Sequence, residues 1–396
     1  MIESSSSPTD YSALVGATTY VSPTEPPIRD GVVLIQNEKI VAVGARAQMQ
    51  FPETAHVLDC FGCTITAGLW NNHVHFFERK WADAAAIPAP ELTHQLQDML
   101  TRYGFTSVFD IGSSWENTRL LRDRIDSGEV LGPKIRSTGP GLVPPGALPS
   151  DQVLSLMGLM KFPAPEIADA SQAAAATKKL LDEGVDAIKL FASSPRGPSL
   201  SESTFQAAAD EAHRAGKPVF VHPNSAADVL TAVRGGVDII AHTTPHSGPW
   251  DEALLAAMKA HRVALTPTLT LWKYYARHDR LCAQEKVTNT EITQLHAWIA
   301  AGGEVLFGTD LGAVEYDPTE EYLLMSQAGM TFPQILATLT TAPAKRFGET
   351  GKLGRVAAGL QADLAVFQQN PATNLRALAL VKYTLRAGRI IYRAND

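Results

Sequence analysis

Between about residue 64 and residue 310 the chain repeats one pattern. A short, nearly unbroken apolar run is followed by an Ala- and Leu-rich stretch of helical period, and then by another apolar run. Strands that are apolar on both faces must be covered on both faces, so this alternation calls for a parallel sheet wrapped in helices. Eight runs qualify: Ile65–His75, Thr106–Ile111, Lys134–Thr138, Asp186–Phe191, Pro218–His222, Val237–His242, Ala264–Pro267 and Val305–Asp310. Eight such units across roughly 280 residues fit an α/β fold of the (β/α)8 TIM barrel type, with room for two long loops. These are Gly141–Glu166, Pro-rich with an apolar centre at Leu154–Met160, and Thr268–Glu291, which carries Trp272, Tyr274 and Tyr275. Both follow strands and are expected at the catalytic rim, as lids or as contacts with a second copy of the chain.

The two ends read differently. Gly31–Ile35 and Ile40–Gly44 near the N-terminus are short β-prone runs separated by turn residues, and so are Ala362–Phe367, Tyr383–Leu385 and Gly388–Tyr392 near the C-terminus. They predict a small β-sandwich assembled from residues 1–63 and 351–396, flanking a barrel of residues 64–350. A net charge of −7 spread along the chain argues against a nucleic-acid partner. No apolar stretch reaches the ~18 residues of a membrane span. The start, MIESSSSPTD, shows neither a basic nor an apolar leader region. The three cysteines, Cys60, Cys63 and Cys282, exclude a disulfide framework, so a cytoplasmic location is expected. Cys60 and Cys63 form a lone C-x2-C without a second pair and read as small apolar residues of a strand.

The chemistry sits at the ends of the apolar runs. His73 and His75 close the first run two positions apart, which on a strand aims both imidazoles to one side. Lys189 lies inside the apolar fourth run, where a lysine is costly unless paired, neutralised or modified. His222, His242 and Asp310 end the fifth, sixth and eighth runs. A single His or Asp in such a place is more often a satisfied core group than a ligand. In a barrel, however, the C-terminal strand ends converge on one cavity, and four imidazoles with a carboxylate suit zinc or a similar cation.

These residues resemble the amidohydrolase superfamily: His73-Val74-His75 after strand 1, His222 and His242 at the ends of strands 5 and 6, and Gly308-Thr309-Asp310 on strand 8. Asp186–Leu190 is similar to the branch related to imidazolonepropionase and Xaa-Pro dipeptidases. The lead-in Thr66–Asn72 departs from the usual pattern, with Ala67 where proline is common and Asn71-Asn72 where an aspartate often precedes the first His. The resemblance implies two divalent ions, zinc the expected one. It puts His73, His75 and Asp310 around one ion, His222 and His242 on the other, and an N6-carboxylated Lys189 bridging them.

The expected activity is hydrolysis of an amide, peptide, carbamate or urea C–N bond of a small molecule by metal-activated water. Asp310 would shuttle the proton, and His242 would polarise the carbonyl if one ion binds. A one-metal cyclic amidohydrolase or deaminase is the nearest alternative, and a non-catalytic barrel scaffold the more distant one. His246, Arg79, Arg196, Trp272 and Tyr274 are candidates for substrate contact, the arginines toward a terminal carboxylate. A solvated His246 and surface arginines are the plainer alternatives. The remaining histidines have no strand-end placement and read as ordinary.

Overall fold

The computed structural model describes residues 11–147, 164–193, 198–278 and 284–395. Arg196, Cys282 and the apolar centre Leu154–Met160 lie outside the described residues.

The N-terminal part forms β1 (Tyr11–Thr19), β2 (Ile28–Gln36), β3 (Lys39–Ala45), β4 (His56–Asp59) and β5 (Thr64–Ala67). The middle supplies β6 (Leu69–Val74), β7 (Phe105–Asp110), β8 (Lys134–Ser137), β9 (Ile188–Phe191), β10 (Val219–His222), β11 (Ile239–Ala241), β12 (Ala264–Thr266) and β13 (Glu304–Val305). The chain ends in β14 (Leu364–Phe367), β15 (Val381–Arg386) and β16 (Arg389–Arg393). Between the middle strands run α1 (Ala89–Met99), α2 (Trp115–Asp126), α3 (Ala170–Glu183), α4 (Glu202–Arg214), α5 (Ala226–Arg234), α6 (Glu252–Ala260), α7 (Leu269–His278) and α8 (Gln284–Ala300). Three helices follow β13: α9 (Thr319–Gln327), α10 (Phe332–Leu339) and α11 (Thr341–Arg346).

Both chain ends share one eight-stranded sheet of order β16-β15-β14-β5-β1-β2-β3, with β4 beside β1. The halves meet where β5 and β14 pair antiparallel, Ala67 opposite Leu364 and Thr64 opposite Phe367. Alternate residues divide between its faces. Leu14, Val33 and Ile35 pack with Ile65, Leu364 and Val366, whereas Ala13, Val15, Val32 and Leu34 form a separate cluster.

The middle strands form two parallel sheets, β6-β7-β8 and β13-β12-β11-β10-β9. Backbone hydrogen bonds link the outer members of both. Asn72 N donates to Phe307 O at 2.8 Å and Asp310 N to His73 O at 2.9 Å; Asp186 N donates to Ser137 O and Leu142 N to Lys189 O, both at 2.8 Å. Alternation shows again here. Phe109, Ala187, Phe220, Ile239, Ala241, Ala264 and Leu306 pack on each other, while Val108, Ile188, Val219, Ile240, Leu265 and Val305 pack with the large cluster that includes the helices. Phe220 is fully buried, 4.9 Å from the Phe109 ring. Phe220→Ala is therefore expected to cost about 3–5 kcal/mol of unfolding free energy, and urea denaturation showing no loss would contradict this packing.

Three expectations are corrected in detail. The run Ile65–His75 is two strands, broken at Gly68, where the Thr106 side chain comes within 2.2 Å of where a Cβ would stand. The eighth run pairs as a strand only over Glu304–Val305, because Phe307 N donates to Thr338 O and Asp310 has a φ of +64°. The segment Thr268–Glu291 is largely helical rather than a loop, since Leu269–His278 contains no Gly or Pro to interrupt α7. Among the described residues no helix is long and apolar enough to cross a membrane.

Candidate metal centre

His73 lies on β6, His75 follows it, and Asp310 follows the β13 run, so neighbouring segments deliver all three. Asn71 braces them: its amide donates to Thr309 Oγ1 at 2.7 Å while its carbonyl accepts from His73 N at 3.2 Å. His75 Nε2 hydrogen-bonds Asp310 Oδ1 at 2.8 Å. His73 Nε2 sits 2.9 Å from the same oxygen, yet both nitrogens of this fully buried ring lack an aligned hydrogen-bond partner. Donor atoms from the three residues lie within 4.8 Å of one another. Two imidazole nitrogens converging on one carboxylate oxygen, one of them orphaned, is the donor set and spacing that a borderline divalent cation would satisfy.

The other imidazoles continue the cluster. Ring centres are 5.1 Å apart for His75 and His73, 4.6 Å for His73 and His242, and 4.5 Å for His242 and His222. Lys189 is buried on β9, its Nζ 5.4 Å from the Phe191 ring centre, and Phe191 in turn lies 5.1 Å from His222. The structure thus brings the five strand-end candidates together with Lys189 from inside β9.

Burial sets the charge states. It lowers His73 to about 3, against the opposing pull of Asp310, and lowers His222 to about 4 with help from Lys189. His242 is held well below the ordinary imidazole value, again chiefly by burial. These rings are neutral at physiological pH and offer lone pairs. Burial pushes the Asp310 carboxyl up, but His73 and His75 outweigh it and keep the group ionised, well below the usual range. Burial also drives the Lys189 ammonium down to about 7, with Asp310 resisting. A lysine of that pKa is substantially a neutral nucleophile at pH 7.

A further layer of residues holds the rings. Asn224 hydrogen-bonds His222 and donates from Nδ2 to Ser193 O at 2.8 Å. Asp228, in the first turn of α5, accepts from Ser193 Oγ at 2.7 Å and from Asn224 N at 3.0 Å. His242 Nδ1 lies 2.6 Å from Thr268 Oγ1. Gln294 on α8 clamps the loop after β11, accepting from Thr244 N at 2.8 Å and donating to Thr244 O at 2.9 Å. His242, Thr268 and Asp310 have φ of +72°, +45° and +64°. His and Asp tolerate this region better than a β-branched residue, so Thr268 is the outlier, held at a cost of about 1–3 kcal/mol.

The rim candidates separate. Trp272 meets His242 edge-on at 6.3 Å and His246 at 5.9 Å, with His246 itself exposed on the turn after β11. Phe77 stacks on His75 at 4.5 Å. Tyr274 does not join the imidazoles. It lines a separate cavity of about 650 Å³ with Arg102, Lys273, Arg277, Glu315 and Arg376. Two positions along a helix rotate a side chain by about 200°, so Trp272 and Tyr274 cannot share a wall. Arg79 is exposed on a 3-10 turn, and Arg196 lies outside the described residues. Sequence reasoning missed Thr268, Glu321, Asn224 and the Asn71–Thr309 brace. Only Asn71 carried a visible signal, as a departure from the aspartate common before the first His.

The sequence profile of the Amidohydrolase family matches residues 64–391. Among solved structures, a candidate prolidase from Bifidobacterium longum is 26% identical, with a TM-score of 0.80 over 97% of this chain and 95% of that one. A prolidase complexed with N-methylphosphonate-L-proline is 25% identical, with a TM-score of 0.79 over 97% of this chain and 100% of that one. An ochratoxinase from A. niger shares the fold at 19% identity and a TM-score of 0.77, over 97% of this chain and 96% of that one. No curated protein sequence matches the chain.

Proposed function

This chain belongs to the amidohydrolase family, hydrolases of carbon–nitrogen bonds, and on that premise we propose that it cleaves an amide-type bond of a small apolar substrate at a divalent-metal centre. The observation that carries the reading is the single cluster of buried His73, His75, Asp310, His242 and Lys189 with half-buried His222. The site stands at the C-terminal ends of eight parallel strands that we read as a closed (β/α)8 barrel, a reading supported by the backbone hydrogen bonds at both junctions of the two sheets. The terminal strands are read as the β-sandwich that flanks it, with residues 64–350 as the barrel except β5, which pairs with β1 and β14.

His73, His75 and Asp310 would hold one ion, His222 and His242 a second, and an N6-carboxylated Lys189 would bridge them. Zinc suits this donor set. Such ions supply Lewis acidity at the scissile carbonyl and bring the pKa of a bound water toward about 7. Asp310, ionised and oriented by His75, takes a proton from the attacking water and delivers it to the leaving nitrogen. A one-metal reading has its own observation: among the described residues, only His73, His75 and Asp310 bring their ligand atoms within 4.8 Å of one another. Metal stoichiometry decides between the two.

The substrate reading follows from the walls. Phe77, Phe191 and Trp272 stand beside His75, His222 and His242, so an apolar group next to the scissile bond would be sheltered, at roughly 1.5–3 kcal/mol per buried side chain. The solved prolidase with a proline phosphonate supports a dipeptide or N-acyl amino acid, its carboxylate recognised by Arg79 or Arg196. The test is kcat/KM for hydrophobic Xaa-Pro dipeptides and N-acyl amino acids against their C-terminal amides, in the parent and in Arg79→Ala and Arg196→Ala. The acids should be preferred, with that preference lost in one variant. Equal rates for acid and amide would remove carboxylate recognition and favour neutral carbamates, anilides or ureas.

A further inference from the structure

We propose that Thr268, locked in its left-handed conformation by Glu321, is a positioning residue that fixes His242 as the Nδ1-protonated tautomer and leaves the Nε2 lone pair for the metal centre. The consequence for catalysis rests on the metal-centre reading; the tautomer does not.

Thr268 Oγ1 has one hydrogen and two close neighbours, Pro267 O at 2.9 Å and His242 Nδ1 at 2.6 Å. If the hydroxyl donated to the ring, Thr268 Oγ1 and Pro267 O would face each other at 2.9 Å with no proton between them. If it donates to the carbonyl, the hydroxyl oxygen accepts from Nδ1–H and each contact holds one proton. In a neutral imidazole that assignment leaves Nε2 unprotonated. The ring lies 4.6 Å from His73 and 4.5 Å from His222, among the other candidate ligands.

The backbone makes the contact permanent. At φ +45° Thr268 is a β-branched residue in a region it rarely adopts. The next residues are tied to a fully buried carboxylate on α9. Leu269 N donates to Glu321 Oε1 at 2.9 Å, and Thr270 N and Oγ1 donate to Glu321 Oε2 at 2.8 Å each. Three hydrogen bonds to one buried carboxyl group pin the first turn of α7, and Thr268 cannot relax without breaking them. On the other side, His242 N donates to Thr266 O at 2.8 Å, so ring and hydroxyl are anchored to the same short stretch of chain.

The test uses full-length protein labelled with 15N-histidine and free of metal, with long-range 1H–15N correlations reading each tautomer. The His242 signal is assigned by its loss in His242→Gln. The parent and Thr268→Ser should show Nδ1–H, whereas Thr268→Val and Glu321→Gln should populate Nε2–H. In chelator competition, Thr268→Val should weaken zinc binding by about 10–100-fold, and Thr268→Ser should restore it. Nε2–H in the parent, or an unchanged tautomer in a folded Thr268→Val, overturns the proposal. Should Thr268→Val fail to fold, the parent and Thr268→Ser spectra decide it. A parent protein that shows Nδ1–H but takes up no zinc supports the tautomer assignment and overturns the metal-centre reading instead.

Discussion

Asp310→Asn is expected to fold normally, to keep at least one metal ion and to lose kcat by about 10²–10⁴-fold, the range of general acid–base catalysis. Asp310 is 5% exposed, and its carboxylate is positioned by His75 at 2.8 Å. An amide keeps one oxygen at that place but cannot take up the proton of the attacking water. The loss should therefore fall on kcat more than on KM, with far-ultraviolet circular dichroism and metal content reporting an intact fold and site. Near-normal turnover would move the proton shuttle elsewhere, and His246, exposed beside Trp272, is the next group to test.

Lys189→Ala is expected to lose most bound metal and nearly all activity, with short carboxylic acids restoring part of both. Burial lowers the amine to about 7, so it is about half neutral at pH 7 and mostly protonated at pH 6. Only the neutral amine adds carbon dioxide to give the carbamate, so metal loading in bicarbonate should rise with pH through that range. The metal-free protein should respond in the same sense. Its unfolded chain takes up the lysine proton below the ordinary value of 10.5, whereas the folded site takes it up only below about 7, so stability falls as pH drops from about 10.5 to 7. A bare amine in a metal-replete crystal, or full metal content in Lys189→Ala, would contradict the bridging role.

The cluster of imidazoles around Asp310 was legible because its signal is local to each strand: His73 and His75 share a face by their two-residue spacing, and His222, His242 and Asp310 each end an apolar run. The residues that brace those side chains were not legible, because their contacts exist only between distant segments. Glu321 meets Leu269 across 52 positions, and Asn71 meets Thr309 across 238. The break at Gly68 was hidden for the same reason, since Thr106 on the neighbouring strand creates the need for a missing Cβ. Tyr274 parts from Trp272 because the segment is helical rather than a loop, and helical rotation turns it toward a cavity lined by Lys273 and Arg376. Periodicity thus told which elements form and which polar ends gather in one place. It did not tell how one element braces another.

The most direct test of a metal centre at these strand ends is elemental analysis of the full-length protein after reconstitution with excess zinc and bicarbonate and removal of free metal. The account predicts two equivalents per chain, with the count reduced in His73→Ala and in His222→Ala. One equivalent would contradict the paired centre, and none would contradict the assignment of His73, His75 and Asp310 as ligands.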